Sequence, residues 1–190
     1  MTERFSEFAK GQMGAIEELI KGLPGVKGYV DKELRRDADK RVRMMIAAEL
    51  EQDKQQLFDL QKKLLKRGGL QWLDDVDGAI QKLQILIDRV KTASYGYAGF
   101  FDAVRIRENQ LDALHRFDVG MAQQVAGIKG AIETLAAAEQ GDDLAAAIDG
   151  LTNALAELNR LFDKRHEAIV APDLLLDTSY APDLDPDAVG

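Results

Sequence analysis

Two runs of apolar residues recur at alternating steps of three and four. The first is Leu73, Val76, Ile80, Leu83, Ile87 and Val90, continuing in phase through Tyr97, Phe101 and Val104. The second is Leu144, Ile148, Leu151, Leu155, Leu158 and Phe162. Such spacing places side chains along one stripe of a helix, and a stripe of this kind must be buried against another helix. The chain therefore reads as all-α: an elongated antiparallel helical bundle or coiled coil of about five helices. Proline scarcity agrees, because proline removes a helical N–H and clashes with the preceding turn. Of the four prolines, only Pro24 precedes residue 172.

The expected helices follow from their breaks. An amphipathic N-terminal helix spans 1–22, with Phe5, Phe8, Ile16 and Leu19 near one face, and Gly22, Pro24, Gly25 and Gly28 end it. A very long helix follows over about 29–67. Its apolar stripe is thin (Val30, Leu34, Val42, Met45, Ile46, Leu50, Leu57, Leu60, Leu64) and dense charge separates the members. A rod of that length, about 60 Å at 1.5 Å per residue, is not covered by shorter partners. Some seam is then expected to stay exposed and to be buried in a second copy. Lys62, Lys63, Lys66 and Arg67 suit the negative end of the helix dipole, and Gly68-Gly69 suits a left-handed cap. A third helix begins near Leu70 and either continues through Gly96 and Gly99 or is split there by a loop. A fourth covers about 108–140 on Leu111, Leu114, Met121, Val125, Ile128, Ile132 and Leu135, with Gly120, Gly127 and Gly130 admitting a close neighbour. Gly141 ends it, and Asp142 is the expected N-cap of a fifth helix running to Val170. The domain reading is thus 1–22, a bundle over 29–170, and an acidic tail over 171–190. That tail holds five aspartates, three prolines and no basic residue, so it is expected to be disordered, extended or docked.

Charge and cysteine content exclude several function classes. Residues 1–67 carry 15 Lys/Arg against 12 Asp/Glu, and residues 68–190 carry 10 against 21, within an overall net charge of −8. This balance excludes a general nucleic-acid binder, which needs a concentrated basic face. With no cysteine there is no disulfide, thiolate metal site or cysteine nucleophile. No run approaches the roughly 20 apolar residues that span a bilayer. The expected location is cytoplasmic, with the inner face of the membrane as the alternative.

Four groups of residues are candidates for function. Tyr95, Tyr97, Phe100 and Phe101, interleaved with glycine, form either a core layer or a partner-binding patch. Leu174, Leu175, Leu176 and Tyr180 are apolar exceptions in the tail and could dock in a groove. Arg35, Arg36, Lys40, Arg41 and Arg43 could meet an anionic partner, although four interspersed acids make a solvated face the simpler reading. Finally, Asp112 with His115 and Asp163 with His166 each form Asp-x-x-His, similar to the Glu-x-x-His pairs of ferritin-like di-metal bundles. The resemblance covers those four residues only, with Asp in place of Glu, and local carboxylate–histidine pairs are the plainer reading.

No nucleophile elbow, phosphate loop or acid–base pair stands out, and no catalytic residue or cofactor is assigned. The expected function is a non-enzymatic scaffold or adaptor acting by self-association, as a homo-oligomer, and through an unknown protein partner. The alternative is a peripheral membrane protein, in which an amphipathic N-terminal helix followed by a long helical hairpin is similar in layout to the phage-shock and ESCRT-III proteins. A di-metal bundle is the third reading.

Overall fold

The computed structural model describes residues 32–66, 69–93, 108–138, 141–177 and 179–183. Every regular element among them is helical: α1 (Lys32–Lys66), α2 (Leu73–Thr92), α3 (Glu108–Ala137) and α4 (Asp142–Val170), with 3-10 turns at Leu70–Trp72 and Pro172–Leu176. The N-terminal helix expected over 1–22 lies outside the described residues, as does the segment 94–107 that holds Gly96 and Gly99.

The four helices form a bundle of two hairpins. In the first hairpin, Arg43 reaches the carbonyls of Val90 and Lys91, and Lys54 Nζ donates to Gln84 Oε1 at 2.6 Å. Ascending α1 is descending α2, so the pair is antiparallel. In the second hairpin, Gln110 bonds the Pro172 carbonyl and Gln124 the Ala154 carbonyl, again antiparallel. The hairpins join through α1 against α3 and α2 against α4.

Buried positions keep heptad time on every helix. On α2 they are Val76, Ile80, Leu83, Ile87 and Val90, and on α4 Leu144, Ile148, Leu151, Leu155, Leu158 and Phe162. On α1, Val42, Ile46, Leu50, Leu57, Leu60 and Leu64 are buried. The exposed seam expected along this helix is absent from its described part: α2 and α3 cover it within one chain. Along these residues no leftover seam calls for a second copy; Val30 and Leu34 lie outside the described side chains.

Local details also differ from expectation. Gly69 has φ −77°, so it is not a left-handed cap. Its N–H donates to the Leu64 carbonyl at 2.9 Å, and a Cβ there would meet the Leu64 oxygen at 3.2 Å. Glycine is suited to this site because the chain folds closely back on α1. Gly141, at φ +91°, is the left-handed residue, and it rather than Asp142 caps α4. Asp142 and Asp143 instead occupy the first turn, where the helix dipole favours negative charge. Gly127 is exposed, and a Cβ on it would come no nearer than 3.9 Å to Gln124, so it marks no close helix approach.

The core is in two parts. A large cluster fills the bundle between all four helices. A smaller one, including Leu111, Leu114 and Phe117 of α3 and Ala168 and Ile169 of α4, is completed by Leu175 and Ala181 from beyond α4. The start of the acidic tail is thus folded onto the bundle. Tyr180 sets its ring edge-on to Phe117 at 6.0 Å, donates its hydroxyl to Glu167 Oε2 at 2.8 Å, and lies 5.2 Å beneath the Lys164 ammonium. Burial and the neighbouring Glu167 carboxylate push the phenol up to about 12. Pro172 begins the turn, where its fixed φ suits a helical start.

Leu175→Ala should lower unfolding stability by about 2–5 kcal/mol, the usual cost of truncating a buried leucine. Leu174→Ala, at an exposed position one residue away, should change it by less than about 0.5 kcal/mol. Urea denaturation of the two variants checks the docking of the tail.

A buried charge cluster as the candidate functional site

Charge in a helical core must be paired, because an isolated ion loses its hydration. The chain meets this rule at one layer of the bundle. Asp39 and Arg43 of α1, Asp118 of α3 and Arg165 of α4 are 1, 3, 0 and 1 % exposed. Arg165 bridges the two hairpins: its Nη1 donates to Asp39 Oδ1 and its Nε to Asp118 Oδ1, both at 2.6 Å. The other Asp39 oxygen accepts from Arg43 Nε at 2.8 Å. Arg43 Nη1 then reaches the Val90 and Lys91 carbonyls at 3.1 and 3.2 Å. Those carbonyls end α2, where the last turn leaves acceptors without helical partners and the dipole favours a cation.

Two guanidiniums and two carboxylates balance in charge, and their bonds touch all four helices. The layer also divides the core. Phe162 below Arg165 belongs to the large cluster, whereas Ala168 and Ile169 above it belong to the small one. Chemically, the arrangement suits fixing helices rather than moving protons. Guanidinium does not give up its proton in proteins, and each carboxylate is occupied by a cation within hydrogen-bond distance.

The cluster has a sequence signal that a hydrophobic stripe does not capture. On α1 the buried heptad runs Asp39, Arg43, Ile46, Leu50, Asp53, Leu57, Leu60, Leu64. On α3 it runs Leu111, Leu114, Asp118, Met121, Val125, Ile128, Ile132, Leu135, and on α4 Arg165 follows Phe162 and precedes Ile169. Asp39, Arg43, Asp118 and Arg165, which together form a charged clasp, all hold seam positions. The apparent thinness of the α1 stripe is an unbroken seam with charged members.

The sequence-nominated residues fall elsewhere. Tyr95, Tyr97, Phe100 and Phe101 lie outside the described residues, and of Arg35 and Arg36 only the helical backbone is described. Lys40 and Arg41 are exposed. Arg43 is not available to an anionic partner, because it is buried and bound to Asp39. Leu175 and Tyr180 pack on their own chain, leaving Leu174 and Leu176 outward. The Asp-x-x-His pairs are not brought together as ligands. Asp112 is exposed and lies 3.7 Å from Arg116 Nε, and Asp163 takes the Arg89 guanidinium and Asn159. His115 and His166 are half-buried, and His115 Nδ1 is buried without a hydrogen-bond partner. Among the described residues no group of three or more His, Cys, Asp or Glu could hold a metal ion. No described helix is long and apolar enough to cross a membrane.

Comparison with protein-family models, with curated proteins and with solved structures gave no match.

Arg165→Met should cost about 3–5 kcal/mol, because it leaves two buried carboxylates against the single guanidinium of Arg43, an uncompensated charge in the core. Replacing Asp39, Arg43, Asp118 and Arg165 together by apolar residues of similar volume should recover most of that loss. Denaturant unfolding of both variants measures the difference. Equal destabilisation would mean that uncompensated charge is not the source of the loss and that the ion pairs contribute stability which apolar volume does not replace.

Proposed function

We propose that the protein is a non-enzymatic helical scaffold or adaptor, acting by self-association and protein–protein contacts through its outer surface. The observation that carries this reading is an apolar patch at the end of α4. Val170, Leu174 and Leu176 are exposed within one short stretch, alongside exposed Ala171, Asp173 and Asp177, whereas Ile169 and Leu175 are buried. Exposed large apolar side chains that cluster, rather than occurring singly, mark contact surfaces. The interior supports the same reading, since its charged layer is spent on joining helices.

The patch is held in a fixed shape. Leu175 packs into the smaller core cluster, Gln110 donates to the Pro172 carbonyl at 2.8 Å, and Tyr180 anchors the chain that follows. A pre-ordered surface loses less entropy on binding than a flexible tail would. Second-copy pairing would occur here, on the outside, because the heptad seams are already filled. A location in the cytoplasm belongs to the same proposal.

Light scattering of the full chain at micromolar concentration should give a mass above that of the monomer. The variant Val170→Asp/Leu174→Asp/Leu176→Asp should shift it towards monomer with unchanged helical circular dichroism. A strict monomer that also captures no partner through this patch would reject the scaffold. Flotation with anionic vesicles that depends on residues 1–22 would instead favour the membrane-surface alternative.

A further inference from the structure

One buried charge is treated in the opposite way from the clasp. Asp53 occupies a seam position on α1 between Leu50 and Leu57 and is 2 % exposed, yet its Oδ2 has no hydrogen-bond partner. It lies in the interface between hairpins, where α1 meets α3. The charged groups facing it are Lys129 and Glu133 of α3 and Glu49 of its own helix. On the α2 side, Gln84 is uncharged and engages Lys54. Asp53 thus sits among two further acids and one base, with no guanidinium fork to neutralise it. The clasp lies 14 residues earlier on the same helix, about 21 Å away along the axis.

We propose that Asp53 is a proton-binding switch in the seam between the two hairpins. Protonated, it lets the middle of α1 close on α3. Ionised, it drives that part of the seam open, while the Asp39–Arg165–Asp118 clasp keeps the other end joined. This rests on the placement of Asp53 and is independent of the scaffold reading.

The direction follows from burial. Desolvation pushes the Asp53 carboxyl up to about 7, with Lys129 opposing and Glu49 and Glu133 adding to the rise. A solvated carboxyl titrates near its ordinary value of 3.8. Between those two limits the closed bundle holds a proton that the open form has released. Closure is therefore fully favoured below the ordinary value, weakens as pH rises, and levels off above about 7. This is the reverse of a salt-bridged aspartate. Between pH 6 and pH 8 the open fraction should rise about tenfold.

Amide hydrogen exchange, corrected for its intrinsic pH dependence, tests this on the full chain. Amides flanking Asp53 on α1 and Lys129 on α3 should open about tenfold more at pH 8 than at pH 6, and those flanking Asp39 and Asp118 should not. Asp53→Asn should abolish the difference; the two histidines are common to both proteins and cancel. Lys129→Gln should move the midpoint to higher pH and Glu133→Gln to lower pH. Carboxyl carbon NMR reads the Asp53 titration directly. A titration near the ordinary carboxyl range, an equal pH response in Asp53→Asn, or a uniform response along α1 would each overturn the proposal.

Discussion

Burying an ion is tolerable only where an opposite charge and enough donors meet it, and that requirement governs this bundle. Hydrophobic seams are permissive: leucine slides past leucine with modest loss, so heptads alone tolerate neighbouring registers. Guanidinium–carboxylate pairs do not. Arg165 must face Asp39 and Asp118 at once, and Arg43 must reach both Asp39 and the last carbonyls of α2. A slip of one turn in any helix would leave a buried charge without its partner, at a cost of several kcal/mol. The clasp thus supplies what the apolar seams lack, a single permitted alignment.

The same contacts order the assembly of the two hairpins. The pair between Asp118 and Arg165 lies within the second hairpin, and that between Asp39 and Arg43 within one helix. The bond from Arg165 to Asp39 spans 126 residues and closes only when the hairpins meet. Long separation makes such a contact entropically late, after local pairing is complete. Arg89 reinforces the other inter-hairpin face by reaching Asn159 and Asp163 from α2 to α4.

The helices were legible because period 3.5 is carried by many residues and survives local exceptions. The all-helical architecture and the boundaries of the hairpin near Gly141 follow from pattern and punctuation alone. The candidate site was not legible by the same means. A search for apolar stripes treats Asp39, Arg43, Asp53, Asp118 and Arg165 as gaps or as solvated surface, since charged residues are seldom buried. Only their register shows otherwise, each falling three or four positions from a buried neighbour. Arg43 shows the confusion in one residue: within a basic-rich run it reads as surface, and in phase with Ile46 it reads as core. The tail left disorder and docking both open for a related reason. Aspartate and proline set its average character, whereas three side chains, Leu175, Tyr180 and Ala181, decide where it goes. Composition averages over residues; docking depends on a few of them.

The even balance of the clasp has a consequence for inheritance. Two acids and two bases share their hydrogen bonds so closely that changing one alone leaves an unbalanced charge in the core. A lineage could pass from this ionic layer to an oily one only by crossing a poorly folded intermediate or by altering several codons at once. Asp39, Arg43, Asp118 and Arg165 therefore form one heritable unit scattered over three helices. In divergent descendants of this chain they should be kept together or lost together.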